Sequence, residues 1–91
     1  MAIAVLFQPV SMSVAQYGEV HERLNQAGFG EFPGRLSHVS FGDPDHLHVL
    51  DIYEDEAAFQ TFGQTLMPIL AELGIDPGEP QVEPVHLRIP E

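Results

Sequence analysis

Between Gly34 and Pro68, two strands of alternating polarity, GRLSHVSF and HLHVLDIYE, meet at the turn-forming run GDPD and lead directly into a Phe-rich helix. Period-two alternation on both sides of clustered Gly, Asp and Pro specifies a β-hairpin with one face turned to a core. His38, His46, His48, Asp51 and Tyr53 all lie on it, so most of the chain's reactive side chains belong to one hairpin.

The flanks complete a regular pattern. Residues Ala2 to Gln8 are apolar at almost every position, the mark of a strand buried on both faces. Ser13 is placed to cap a helix with the stripe Val14, Tyr17, Val20, His21 and Leu24, which Gly28 and Gly30 stop. A second helix starts at the N-cap Asp55, with Glu56 in its first turn, and buries Phe59, Phe62, Leu66, Ile69 or Leu70, and Leu73 before Gly74 ends it. Pro68 lacks the N–H that would reach Gln64, so a kink or restart is expected there. A last strand, Gln81 to Ile89, is interrupted by Pro84, which suits a sheet edge or a bulge.

The order is βαββαβ, which folds as an α+β, ferredoxin-like domain: a four-stranded antiparallel sheet with two helices on one face. At 91 residues, without repeat or linker, the chain reads as a single domain over 1–91. The other sheet face would be bare. Ile3, Val5 and Phe7 oppose Ala4 and Leu6 on the first strand, so the uncovered face calls for a partner, and a second copy is the simplest.

Charge narrows the function classes. Three Arg, no Lys and fourteen acidic residues give a net charge of -11, which repels nucleic acid and anionic membranes alike. No cysteine is present, which removes disulfides, thiolate metal sites and a cysteine nucleophile. MAIAVLFQPV has neither a basic n-region nor the length of a membrane span, so a cytoplasmic protein is the expectation.

PGRLSH at Pro33 to His38, VLDIYEDEAAFQTF at Val49 to Phe62 and LMPIL at Leu66 to Leu70 resemble the dimeric α/β-barrel superfamily, specifically small stand-alone members similar to antibiotic-biosynthesis monooxygenases. The resemblance covers nearly the whole chain. It implies a homodimer in which two sheets form a barrel, with one ligand cleft per subunit between sheet and helices. It implies fold more strongly than activity, because members include cofactor-free oxygenases, haem-degrading enzymes and isomerases. Tyr53 stands where many such relatives carry Trp. Haem-degrading relatives place a histidine on the second helix, and Asp55 to Leu73 contains none.

With Gly42 to Asp45 read as a four-residue loop, Phe41 pairs with His46, and Leu36, His38, Ser40, Leu47, Val49, Asp51 and Tyr53 share one face. His38 and Asp51 are then diagonal neighbours, a candidate catalytic pair in which the carboxylate orients an imidazole general base. The alternative is a half-buried Asp51 simply satisfied by His38, by Arg35 after a register shift, or by backbone. Tyr17, His21, Tyr53, Phe59 and Phe62 are candidate ligand-binding residues. The phenylalanines fit a core stripe equally well, and Tyr17 and His21 fit an amphipathic helix boundary. His46 and His48 have the spacing of a metal-binding pair but supply only two ligands where a catalytic zinc needs three. No metal site is expected. His86 lies on the edge strand, where cleft and solvent are both within reach. No nucleophile elbow and no glycine-rich phosphate loop is present.

Two functions fit. One is a cofactor-independent monooxygenase or isomerase acting on a small aromatic or polyketide-like compound. His38 with Asp51 would remove a proton, Tyr53 or Tyr17 would hold an oxygen, and the carbanion would reduce O2 without a flavin or metal. The other is a non-catalytic ligand-binding or interaction module using the same homodimeric cleft. They part at His38: a binding module would lose little from His38→Gln.

Overall fold

The computed structural model describes residues 1–90. It runs β1 (Ile3–Phe7), α1 (Val14–Gln26), β2 (Arg35–Asp43), β3 (His46–Tyr53), α2 (Glu56–Glu72) and β4 (Gln81–Pro84). All four strands form one antiparallel sheet in the order β2-β3-β1-β4, the ferredoxin-like arrangement read from the sequence.

Local chemistry sets the helix ends. Ser13 caps α1 and forms a reciprocal capping box with Gln16. Asp55 caps α2, its Oδ1 accepting from the Ala58 N–H at 2.8 Å. Both helices close with a glycine at positive φ, Gly28 and Gly74, after which Phe29 donates back to the Leu24 carbonyl and Ile75 to that of Leu70. These are Schellman closures, and at the end of α2 the buried Ile75 completes the apolar contact such caps favour. Of the kink or restart expected at Pro68, the restart does not occur: α2 continues through the proline to Glu72. The single lost hydrogen bond is outweighed by Phe62, Leu66, Ile69 and Leu70, which bury on both sides of the proline.

The hairpin is tighter than the sequence suggested. Asp43, not Phe41, pairs with His46, leaving a two-residue loop of Pro44 and Asp45. Asp43 Oδ1 accepts from the Asp45 N–H at 2.8 Å, and this Asx turn together with the fixed φ of proline closes the loop two residues early. A slip of two preserves the pleat, so the inward face is largely retained. Its lower end changes, because a bulge between Arg35 and Ser37 turns Arg35 inward and leaves Leu36 exposed. Gly34, buried just before the bulge, lets the chain pass α2 closely: a Cβ there would lie 2.8 Å from the Ala58 methyl and from the Phe32 ring.

The last strand is also shorter than expected, ending at Pro84 instead of Ile89. It occupies one sheet edge. Beyond it the chain crosses to the opposite edge strand, where the Arg88 guanidinium donates to Ser37 Oγ at 3.1 Å.

Both helices pack on the sheet face that carries Val5, Phe7, Leu47, Val49 and Tyr53, against Val20, Leu24, Phe62, Leu66 and Leu70. The other face carries Ala4, Leu6, Val39, Phe41, Leu50 and Ile52, of which Val39, Phe41 and Leu50 are 52%, 44% and 37% exposed. Val14, expected in the buried stripe of α1, is exposed at its first turn, where the Val14 N–H bonds the Pro44 carbonyl of the hairpin tip at 2.9 Å. No described helix is long and apolar enough to cross a membrane.

Candidate functional site

Direct pairing across β2 and β3 sets His38 opposite Asp51, not diagonal to it. Asp51 is 2% exposed, and its two oxygens are each engaged: Oδ1 lies 2.5 Å from His38 Nδ1, and Oδ2 accepts from the Tyr53 hydroxyl at 3.0 Å. The carboxylate only accepts, so in the neutral imidazole Nδ1 carries the proton and Nε2 keeps a lone pair. That lone pair faces the Tyr17 hydroxyl of α1, 2.5 Å away, with the two ring planes nearly parallel. A continuous chain of hydrogen bonds therefore runs Tyr17, His38, Asp51, Tyr53.

Burial grades this chain from one end to the other. Tyr53 is fully enclosed, and burial together with the adjacent Asp51 carboxylate pushes its phenol far above the ordinary range. It is a fixed donor that orients the carboxylate. His21 sits at the other end, its ring 4.5 Å from Tyr17 and 5.3 Å from His38. Burial first, then His38 and Arg35, lower its pKa against the opposing pull of Asp51.

A cleft of about 50 Å³ between sheet and helices is lined by Tyr17, His21, Arg35, His38, Asp51 and Phe62, among other residues. A wider hollow of about 390 Å³, bordered by Gly30 to Pro33, shares Arg35 and His38 with it. Of the residues singled out in the sequence, Tyr17, His21, His38, Asp51 and Phe62 thus come together. Tyr53 supports them from behind, and Phe59 packs on Tyr53 and Phe7 away from the cleft. His48 packs edge-on against Phe41 on the outer sheet face, His46 is exposed at the hairpin tip, and His86 is exposed beyond β4. Among the described residues no three His, Asp or Glu side chains cluster to hold a metal ion. Arg35 figured in the sequence only as a possible partner of Asp51. Its inward turn depends on the bulge, for which the sequence carries no plain signal.

The fold defines a class: a ferredoxin-like α+β chain with its cleft between sheet and helices. Solved structures share this fold over nearly the whole chain. A variant of SnoaB, a cofactor-independent oxygenase from Streptomyces nogalater, superposes with a TM-score of 0.70 at 16% identity, covering 99% of this chain and 98% of that one. A protein from Chloroflexus aurantiacus, described as a candidate antibiotic biosynthesis monooxygenase, gives 0.64 at 14% identity over 97% of each chain. One of the same description from Deinococcus radiodurans gives 0.63 at 17%, over 98% of this chain and 96% of the other. These neighbours are of the same type that the sequence resembles, and at such identities the likeness is one of fold. No family model and no curated protein sequence matches the chain.

Proposed function

We propose that this protein is a cofactor-independent monooxygenase-like enzyme acting on a small aromatic or polyketide-like compound, and that it works as a homodimer joined through the outer sheet faces. The observation that carries the chemistry is the chain Tyr17, His38, Asp51, whose reactive end lies in the cleft. His38 is the base, Asp51 holds its tautomer, and Tyr17 passes the proton from substrate to Nε2. Tyr53 positions Asp51, and His21 and Phe62 form cleft wall.

The reaction balances without a further reductant. A ring CH2 activated by neighbouring carbonyl or phenol groups gives its proton to the relay, leaving a carbanion delocalised over the ring. The carbanion transfers electrons to O2 and a C–O bond forms, giving a peroxide anion. The imidazolium returns the proton, and loss of water from the hydroperoxide leaves a carbonyl. CH2 and O2 become C=O and H2O.

A second reading rests on one specific feature. Both imidazole nitrogens of His38 are engaged within the protein, as suits a cleft that binds a ligand without turning it over. Oxygen uptake with a tricyclic anthrone separates the two: an enzyme consumes O2 and loses this with His38→Gln, whereas a binding module consumes none.

A further inference from the structure

We propose that Arg35 forms an oxyanion-binding subsite in this cleft, selecting planar aromatic ligands that carry a carboxylate or a phenolate conjugated to the ring. The chain has three cations against fourteen acidic residues, so the placement of each is informative. Arg23 is paired with Glu72 at 2.7 Å, and Arg88 donates to Ser37. Arg35 has no carboxylate within ion-pair distance among the described residues, although it lies beside Asp51 in the cleft.

The reason is stereochemical. Asp51 turns Oδ1 to His38 and Oδ2 to Tyr53, and neither oxygen comes within ion-pair distance of the guanidinium. The one side-chain contact of hydrogen-bond length that Arg35 makes among the described residues is from Nη1 to His38 Nδ1 at 3.4 Å, and in the tautomer that Asp51 imposes this nitrogen is itself a donor. The half-buried guanidinium, with five N–H donors, therefore meets no matching acceptor within the described chain, and its unpartnered N–H groups open to the solvent side of the cleft, where a ligand can reach them.

Its setting fits a flat ligand. The Arg35 guanidinium carbon stands 4.8 Å from the centroid of the Phe62 ring, a cation–π contact that helps hold the side chain in the cleft. Arg35 lines both the narrow cleft and the hollow of about 390 Å³, and only the latter falls within the range of about 300–1,000 Å³ usual for small-molecule sites. The ligand body would rest along Phe32 and Pro33, with its oxyanion on Arg35 and its adjacent carbon toward His38. Glu31 also borders the hollow but is exposed. In a chain of charge -11, anions are disfavoured at long range, so selection falls to this one local cation.

The subsite rests on the reading that the cleft takes planar aromatics, but it does not require turnover. The test is equilibrium binding under nitrogen of 2-naphthoate and its neutral isostere 2-naphthamide. Wild type should prefer the anion by about tenfold or more, and Arg35→Gln should abolish that preference while changing naphthamide affinity less than about twofold. Arg35→Lys, which keeps charge but not the fork, should retain part of it, and far-UV circular dichroism checks that each variant is folded. The ionisation-sensitive absorption of 2-naphthol identifies the source. Phenolate absorption from the bound form at a pH where the free form is neutral, lost in Arg35→Gln, assigns the subsite to a phenolate; an Arg35 effect on naphthoate alone assigns it to a carboxylate. Equal affinity for both isosteres in wild type, or an undiminished preference in Arg35→Gln, overturns the subsite while leaving the aromatic cleft standing. Binding of neither overturns both, whereas oxygen uptake bears on the monooxygenase reading alone.

Discussion

His38 and Asp51 face each other directly across the β2 and β3 strands, Nδ1 to Oδ1 at 2.5 Å, with the carboxylate almost wholly buried and the imidazole edge reaching the cleft. The pair is rigid because it rests on sheet backbone on both sides, and because Tyr53 occupies the remaining carboxylate oxygen. Asp51→Asn replaces an acceptor with an amide that can present its NH2 to the ring, which favours the other tautomer and puts a proton on Nε2. Oxygen uptake should then fall by about 10²-fold or more, with ligand affinity changed far less. A variant as active as wild type would remove Asp51 from the chemistry.

Tyr17→Phe tests whether the proton passes through the hydroxyl that occupies Nε2. The substitution keeps the ring that lines the cleft and removes only the oxygen. A relay predicts a loss of about 10²-fold in kcat with KM nearly unchanged. A kcat equal to or above that of wild type would mean that Tyr17 merely covers the base, and that substrate meets His38 directly.

Much of this arrangement is legible in the sequence, and the reasons for success and failure are local. Ser13, Asp55, Gly28 and Gly74 announce helix ends because cap chemistry is decided within a few residues. His38 and Asp51 were recoverable even with the hairpin register two residues off, since a slip of two leaves pleat parity unchanged. Arg35 was not, because a bulge adds a single residue and inverts parity below it. β4 reads longer in the sequence than it is in the fold for a related reason. Val85, Leu87 and Ile89 still alternate, but the chain leaves the sheet after Pro84 to reach Ser37, a long-range contact that no local pattern records.

Tyr53→Phe isolates the support of Asp51 from its chemistry. Both groups are buried, and removing the hydroxyl orphans Oδ2 in a site almost closed to water. The cost should be about 1–3 kcal/mol, read as a lowered midpoint in urea at unchanged m-value. A midpoint equal to wild type would show that another donor reaches Asp51 once the phenol has gone.

His21 makes stability depend on pH in a defined direction. Burial, His38 and Arg35 lower its folded-state pKa below the unfolded value of about 6.5, so between the two the unfolded chain binds more protons. Its contribution is complete above about pH 6.5 and is lost as the pH falls through and below that value. His21→Gln should therefore lose less melting temperature than wild type between about pH 7 and pH 5. Parallel curves for the two proteins would show that His21 titrates alike in the folded and unfolded chains.

The outer face of the sheet supplies the last prediction. Ala4, Leu6, Val39, Phe41, Leu50 and Ile52 cover it with apolar surface while both helices sit on the other side. A chain of this size buries little on its own, and a second sheet laid on this face would remove the patch from water. Each copy also carries a charge of -11, so association works against mutual repulsion. The two effects separate by salt: raising ionic strength screens the repulsion and leaves the apolar term, so the dimer should tighten as salt is added. Sedimentation should show a dimer for wild type and a folded monomer for the double variant Val39→Glu, Leu50→Glu. A wild-type monomer at all salt concentrations would remove the homodimer, and a variant that still dimerises would place the interface on another surface.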